Sequence, residues 1–402
     1  MKRISYFLIS LSFIIVVNNT FRFYKNKTSY EIGDWLINYQ GGFVRKGLVG
    51  EFIYQIYKFT EINPYLTVLI LIILFYLIFY IIIFKYLNKL HINNYIIFAL
   101  FSPLSFFFPV FNSKATGRKE ILFISLLALV CFYLPKINKK YYMYIYIGLL
   151  TLIGLTHEGF IFYFGYFLIP LIFIIKPESF RDIRYEAILI SLSSLILIFL
   201  TYKFSGNENQ VIDICNSIKN FAHQQCESFG QIATLKWDLK NYMSEKEGIL
   251  LTKYFPLYFF YGVISFLPLF FIYKKASLNV LILNKKINPL ILIFIPFIFT
   301  IPVYYIALDW GRYLYTSYIS SLIIILFLIK NKIISLKFNE NFKQNYLLKK
   351  VFLPILFVIY CFGWSVPYCC NPEIKSGLIR SVKLAISYYE RNGLTLPKYF
   401  YK

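Results

Sequence analysis

The chain has 402 residues, of which 58% are hydrophobic and 15% charged, and its mean hydropathy is +0.61. These values exclude a water-soluble globular protein and indicate a polytopic membrane protein. The formal net charge of +23 would suggest nucleic-acid binding in a soluble chain. In a membrane protein it is explained by Lys and Arg in cytoplasmic loops, so we expect no nucleic-acid partner.

The N-terminus has the features of a signal anchor. Lys2 and Arg3 precede an apolar run, and no small-residue cleavage site follows it. We therefore expect an uncleaved first helix with its N-terminus in the cytoplasm.

Apolar runs long enough to cross a bilayer recur along the whole chain. They predict an all-α polytopic bundle of about eleven transmembrane helices, forming a single membrane domain over 1–402. The runs lie at 4–20, 64–84, 93–111, 120–135, 142–156, 160–175, 185–203, 254–273, 287–307, 313–330 and 350–367.

The distribution of cations sets the expected orientation. The alternate short loops, together with Lys2 and Arg3, hold 20 of the 42 Lys and Arg residues, which predicts that these loops are cytoplasmic. The heavy use of Ile, Lys, Asn, Phe and Tyr is typical of an AT-rich bacterial gene, so we expect the other side to be the periplasm of a bacterial inner membrane. That side then receives a cap of loops and interfacial helices. This cap comprises a first loop at 21–62, a large loop at 204–253 and an amphipathic tail at 368–402.

The first periplasmic loop is rich in polar residues and glycine. Asp34, the adjacent Arg45 and Lys46, and five glycines lie between two apolar runs. Glycines allow backbone N–H groups to approach an anion, and the cations would hold it, which favours a lipid phosphate or pyrophosphate site. Alternatively, Arg45 and Lys46 anchor the next segment at the head-group level. The pattern from Leu48 to Tyr57 predicts a helix on the membrane surface.

Three further polar clusters lie at the predicted periplasmic ends of apolar runs. Arg118, Lys119 and Glu120 precede a span, where a helix N-terminus and two cations could bind phosphate; the alternative is ordinary interfacial snorkelling. His157 and Glu158 occupy a tight turn, as a catalytic pair or as a structural turn. His157 would act through its ordinary pKa, and Glu158 through a pKa raised by burial.

The last cluster contains Asp309, Trp310 and Arg312. Asp309 and Arg312 could bind substrate or simply pair with each other. Trp310 could anchor the chain at the interface or stack on a sugar ring. We assign Trp310, Asp309 and Glu120 supporting roles.

Neither a metal site nor a cofactor is expected. No Cys or Cys-His metal-ligand spacing occurs, although the four carboxylates of these clusters could hold a divalent ion if they converged. Cys215 and Cys226 would be about 16 Å apart in one straight helix, too far for a disulfide. A bridge therefore requires a helix break between them, and the sequence leaves this open.

Together these clusters describe an outward-facing site for a polyprenyl pyrophosphate. Five cations, Arg45, Lys46, Arg118, Lys119 and Arg312, would stabilise the departing diphosphate. Asp34, His157 or Glu158 would remove the proton of the acceptor hydroxyl.

The chain resembles the O-antigen polymerases of bacterial surface-polysaccharide clusters in its many spans, its large periplasmic loop and its periplasmic Arg45, Arg118 and Arg312. It is also similar to GT-C glycosyltransferases, which carry a catalytic acid in the first outer loop, where Asp34 or Glu31 lies here. An Asp-x-Asp motif is absent.

Both resemblances imply periplasmic glycosyl transfer from a lipid-linked donor, either polymerisation of oligosaccharide repeat units or addition of a single sugar. The implied partners are a lipid-linked oligosaccharide, membrane lipids and, optionally, a chain-length regulator. A flippase for the same lipid is the alternative of another class; it would place cations at mid-membrane, whereas the predicted spans contain almost no charge.

Overall fold

The structure is a computed structural model that describes residues 2–25, 30–177, 182, 184–222, 226, 230–236, 254–279, 281, 288, 291–307, 309–336 and 351–369. Most of these residues are helical. The α-helices are α1 (Lys2–Lys25), α2 (Tyr30–Gly33), α3 (Gly47–Thr60), α4 (Pro64–Lys89), α5 (Asn94–Leu100), α6 (Phe108–Phe111), α7 (Ser113–Thr116), α8 (Glu120–Tyr133), α9 (Tyr142–Thr156), α10 (Gly165–Ile175), α11 (Arg184–Lys203), α12 (Glu208–Ala222), α13 (Phe255–Lys275), α14 (Ile291–Ile306), α15 (Trp310–Lys330) and α16 (Leu353–Phe362). Short 3-10 helices lie at Asp34–Leu36, Leu134–Lys136, Lys139–Tyr141, Glu158–Tyr163 and Ala233–Lys236.

Six helical segments of the described chain are long and apolar enough to cross a membrane. They are Lys2–Lys25, Pro64–Lys89, Glu158–Ile175, Arg184–Lys203, Phe255–Lys275 and Trp310–Lys330. A helical, multi-pass membrane protein is therefore confirmed, but the predicted count of about eleven spans is not. Helices α8 and α9 have 14 and 15 residues, which gives lengths of about 21 to 23 Å, less than the roughly 30 Å of a bilayer core.

The predicted span 93–111 is not one continuous helix, because the helix ends at Leu100. Turns replace it from Phe101 to Phe107, where Pro103 disfavours helical geometry at the residue before it. A neighbouring helix satisfies one of the freed backbone groups, because the hydroxyl of Tyr318 on α15 donates to the carbonyl of Ala99 at 2.9 Å. Such a break at membrane depth is tolerated where protein surrounds it, and Ser102 is fully buried.

The bundle is built around α15. Of the residues in its apolar 18-residue stretch, 89% are buried, which is the highest share among the six candidate spans. Helices α4, α8, α10, α13 and α14 all pack against it. Because its residues from Trp310 to Leu328 are buried and these helices surround it, α15 forms the axis of the core.

One pair of short strands departs from the all-α prediction. Ala276–Leu278 and Ile334–Leu336 pair antiparallel, with Ser277 opposite Ser335. They directly follow α13 and α15, two helices that end side by side, and their pairing satisfies backbone groups that would otherwise be exposed there.

The predicted surface helix of the first loop is present as α3. Its residue Ile53 is buried whereas Phe52 is 57% exposed, so the helix covers the protein on one side and leaves apolar side chains uncovered on the other. A Cβ on Gly50 would lie 1.8 Å from the carbonyl oxygen of Ile37, so a glycine is needed for this approach. That the helix lies on a membrane surface stays a prediction, as does the division into loops and tail.

The large loop 204–253 is described only in part. It contains α12, which ends at Ala222, and a disulfide joins Cys215 to Cys226 with their Cα atoms 5.8 Å apart. The helix break that the bridge required is therefore present. The amphipathic helix predicted in the tail falls on 370–402, outside the described residues.

The bundle has two chemically distinct ends. Helices α8 and α15 both begin at a cluster that contains Glu120 and Arg312, and both end where Lys330 lies over Phe132. Lys2 joins that second end by donating to the carbonyl of Asn88. We call the first the polar end and the second the lysine end; they correspond to the predicted periplasmic and cytoplasmic sides.

We predict that Gly50→Ala prevents normal folding, because the added methyl group would displace backbone rather than a flexible side chain. Gly148→Ala is the matched control, since a Cβ there meets no atom within 4 Å. Fluorescence-detected size-exclusion chromatography in detergent should show loss of the monodisperse peak for Gly50→Ala alone. Equal profiles for both variants would contradict the close contact.

Candidate functional site

The polar end is held together by the buried ammonium group of Lys119. Its Nζ atom donates to the carbonyl oxygens of Lys46 and Thr156, at 3.1 Å each, and lies 4.0 Å from Oδ2 of Asp34. The side chains of Lys119 and Asp34 are 0% and 1% exposed. The indole of Trp35 donates to the carbonyl of Gly117 at 2.7 Å and fastens the same two loops. One lysine therefore joins the first loop, the start of α8 and the end of α9.

Asp34 is an ionised carboxylate, and one of its two oxygens has no hydrogen-bond partner among the described residues. Burial would raise its pKa, but the cations Lys119 and Lys46 more than offset burial, so the pKa is lowered from its ordinary value. Its Oδ1 atom is buried and has no hydrogen-bond partner among the described residues. An unsatisfied buried acceptor is costly, and such atoms concentrate at functional sites.

Glu158 lies close to two adjacent cations of the first loop, Arg45 and Lys46. Its Oε1 atom lies 3.6 Å from Arg45 Nη1 and 3.4 Å from Lys46 Nζ. All three side chains are between 14% and 25% exposed, so they form the accessible rim beside the buried Lys119 and Asp34 pair. With two cations this close the carboxylate is stabilised in its charged form, which opposes the raised pKa expected from the sequence.

His157 is a neutral histidine in this structure. Burial, with the positive charge of Lys46 as the next cause, lowers its pKa from 6.5 to about 3. The backbone N–H of Gly159 donates to its Nδ1 at 3.2 Å, which leaves the proton on Nε2. The ring stacks on Phe160 at 4.7 Å. The expectation of an ordinary pKa is wrong, and His157 is suited to donate a hydrogen bond rather than to accept a proton.

Arg312 forms a second buried ionic group. Its Nε lies 3.0 Å from Glu120 Oε1, and its Nη2 lies 3.1 Å from Asp309 Oδ2. The pairing of Asp309 with Arg312, one of the two alternatives from the sequence, is thus present, and Glu120 completes it. Trp310 is 8% exposed and packs against Tyr258 and Tyr304 with ring centroids 5.9 and 6.0 Å away, so no open stacking surface is seen here.

Arg118 differs from the other four cations of the site. It forms no ion pair with a carboxylate of the described chain. Instead its Nε donates to the hydroxyl of Tyr368 at 2.6 Å, and its guanidinium lies 5.0 Å from the ring centroid of Tyr30. Sequence reasoning missed both tyrosines, because nothing in the local pattern links the tail to the first loop.

Two glycines of the first loop lie close to other parts of the chain. A Cβ on Gly41 would lie 2.6 Å from the backbone oxygen of Gln210, and one on Gly47 would lie 2.2 Å from the ring of Tyr39. Both positions therefore need a glycine for close packing, and the approach of the loop to an anion stays a prediction.

The structure thus brings all four predicted clusters to one end of the bundle. Asp34, Arg45, Lys46, Lys119, His157 and Glu158 form one group, Glu120, Asp309 and Arg312 form another, Arg118 is held by Tyr368, and Trp310 lies at the start of α15. Within the described ranges no group of three or more His, Cys, Asp or Glu residues is arranged to hold a metal ion.

One family model matches residues 4–253, more than half of the chain. It describes an uncharacterised membrane protein, Rv1490. The chain belongs to this family. The matched range contains Asp34, Arg118, Lys119 and Glu158 but ends before Asp309 and Arg312. No curated protein and no solved structure matches the chain.

The lowered pKa of His157 predicts a pH dependence of stability. Between pH 6.5 and about 3 the unfolded chain binds a proton at this histidine and the folded chain does not, so stability falls as the pH is lowered through this range. By pH 4.5 the loss is on the order of 2 kcal/mol. We expect His157→Gln to weaken the fall in Tm between pH 7 and pH 4.5, measured by intrinsic fluorescence in detergent.

The exposed His91 provides the control for this measurement. His91→Gln should reproduce the wild-type pH profile. An unchanged profile in His157→Gln would show that His157 is protonated as readily in the folded protein as in the unfolded chain.

Proposed function

We propose that the protein is a membrane glycosyltransferase that uses a polyprenyl-linked donor, and that its reaction is the polymerisation of lipid-linked oligosaccharide repeat units for a bacterial surface polysaccharide. The observation that carries this proposal is the buried, ionised Asp34 with an unpartnered oxygen, fixed by Lys119 in the loop that follows the first span. The periplasmic face of the inner membrane is the proposed location of the polar end.

In the proposed reaction Asp34 is the general base. Its free Oδ1 accepts the proton of the acceptor hydroxyl while that oxygen bonds to the anomeric carbon and the bond from this carbon to the phosphate oxygen breaks. A carboxylate of low pKa suffices, because the hydroxyl becomes acidic as its oxygen bonds to carbon. Lys119 holds the carboxylate in place, and so provides the fixed geometry on which such a reaction depends.

Arg118 is the proposed phosphate ligand. Its Nε is held by Tyr368, and it forms no ion pair with a carboxylate of the described chain. A planar guanidinium can form two parallel hydrogen bonds to a phosphate and stabilise the charge that develops as the donor departs. Neutral His157, next in sequence to Glu158, provides a further hydrogen-bond donor through its Nε2–H.

The positions of the charges favour a transferase over a flippase. Glu120 and Arg312 lie in the first turns of α8 and α15, and the other charged residues of the site lie in loops or at the start of short 3-10 helices at the same end. Between Arg312 and Lys330, α15 carries no charged residue. A carrier of anionic lipid would be expected to place cations near the middle of the membrane.

A single-sugar transferase is the second candidate. The observation in its favour is that four of the five predicted cations already lie within 4.0 Å of a carboxylate. A diphosphate carries more charge than a monophosphate, so a site with one uncompensated arginine is better matched to a monophosphate donor.

Gene deletion distinguishes these reactions. If the protein polymerises repeat units, lipopolysaccharide from the deletion strain should carry one repeat unit per core, seen as a single band in place of a ladder on a gel. A full ladder whose repeat lacks a side-branch sugar would support the single-sugar transferase. Core without any repeat unit would support the flippase and overturn the proposal.

We predict that Asp34→Asn, expressed in the deletion strain, fails to restore the product although it keeps the size and shape of the side chain. The reason is that an amide cannot accept the hydroxyl proton. Quantitative gel analysis, with membrane abundance measured by immunoblot, separates activity from folding. Asp213→Asn is the control, since Asp213 is an exposed residue of α12. Full restoration by Asp34→Asn would exclude Asp34 as the base.

We predict that Arg118→Ala lowers product formation by about a hundredfold, the usual effect of removing one preorganised group that stabilises transition-state charge. Arg118→Lys should recover little of this, because an ammonium lacks the bidentate fork. Lys114→Ala, which changes an exposed cation of the same loop, is the control and should be active. Arg312 is less informative, since its loss leaves Glu120 buried and unpaired and would destabilise the fold.

A further inference from the structure

Four lysines from three segments converge on one aromatic ring at the lysine end. Their Nζ atoms lie 3.5, 5.5, 5.7 and 6.0 Å from the centroid of Phe132. In order of increasing distance they are Lys330, Lys136, Lys85 and Lys89, and we call them the lysine cluster. Lys85 and Lys89 are one turn apart on α4, Lys136 lies in the 3-10 turn after α8, and Lys330 ends α15.

The lysine cluster lacks compensating negative charge within the described chain. None of its members forms an ion pair with a described carboxylate. The contacts it does make are weak ones: Lys85 lies 3.4 Å from the hydroxyl of Tyr133, and Lys330 lies 3.5 Å from the carbonyl of Phe132. Cation–π contacts contribute roughly 0.5 to 1 kcal/mol each at exposed sites. They do not remove the repulsion among four ammonium groups, so the arrangement is suited to an anion.

An exposed apolar stripe on α4 leads directly to this cluster. Ile70, Leu74, Leu77 and Ile81 are between 41% and 54% exposed. They succeed one another at spacings of four, three and four residues, and Lys85 follows four residues later, so all five share one helix face. The stripe from Ile70 to Lys85 is about 22 Å long. An amphiphile with a charged head and long apolar chains matches this surface, whereas a small anion would use the lysines alone.

We propose that the lysine cluster binds the phosphate headgroup of an anionic phospholipid, whose acyl chains lie along the exposed stripe of α4. This site is at the opposite end of the bundle from Asp34, and the inference does not depend on the proposed enzymatic function. The bound lipid would join α4, α8 and α15 at their common end and so stabilise the folded bundle.

The test uses the full-length protein in detergent with phosphatidylglycerol as the probe and phosphatidylcholine as the zwitterionic comparison. The variant Lys85→Gln/Lys89→Gln removes two exposed members of the cluster. The control Lys139→Gln/Lys140→Gln removes two exposed lysines from the neighbouring 3-10 turn, so both proteins lose the same charge at the same end. Native mass spectrometry counts bound lipids, and Tm with and without lipid measures the linked stabilisation.

We expect wild type and the control to retain phosphatidylglycerol in preference to phosphatidylcholine. The cluster variant should bind phosphatidylglycerol at least tenfold more weakly, since each lysine near an anionic lipid contributes to the binding free energy and the variant lacks two of them. Without lipid its Tm should equal or exceed that of wild type, because like-charge repulsion is relieved. A lower Tm without lipid would show that the lysines serve folding and would overturn the proposal.

Two other outcomes would also overturn it. Equal losses of lipid in the cluster variant and the control would mean that net charge, not this site, attracts the lipid. Displacement of phosphatidylglycerol by millimolar inorganic phosphate would show a site for small anions rather than for a phospholipid.

Discussion

The polar end depends on one buried cation. The ammonium group of Lys119 has no exposure to solvent, and its partners are the carboxylate of Asp34 and the carbonyl oxygens of Lys46 and Thr156. An isolated charge in such a place would be very costly, so these partners must be in position whenever the protein is folded. The first loop, the start of α8 and the end of α9 are thereby fixed relative to one another, and Asp34 is fixed with them.

That constraint explains how a loop supplies a rigid site. The cations Arg45 and Lys46 would repel each other and Lys119, but Glu158 lies within 3.6 Å of both. His157 stays neutral in this field because burial and the positive charge of Lys46 disfavour its protonation. The arrangement provides an ionised carboxylate near a neutral hydrogen-bond donor, and Arg118 is the one of the five predicted cations that forms no ion pair with a described carboxylate. The proposed glycosyl transfer relies on these groups.

The two ends of the bundle differ in how far their cations are paired with acidic side chains. At the polar end four of the five predicted cations lie within 4.0 Å of an acid. At the lysine end four cations face one ring without a described acid, which suits a permanent lipid neighbour. Helix α15 connects both ends through the core, with Arg312 in its first turn and Lys330 as its last residue.

The amino-acid sequence alone was enough to predict a helical membrane protein with charged clusters between its apolar runs. It also placed Asp34, Arg118 and Glu158 in such clusters. Hydrophobic runs and charge are properties of local segments, so composition and spacing were enough. The tertiary structure decided which charges pair, because Lys119 and Asp34 are distant along the chain and no local pattern links them. It also interrupted the helix expected over 93–111, since turns inside a bundle are stable where other helices supply hydrogen bonds, as Tyr318 does for the carbonyl of Ala99. The neutrality of His157 and the contact of Arg118 with Tyr368 likewise arise from burial and long-range contacts, which only the folded chain provides.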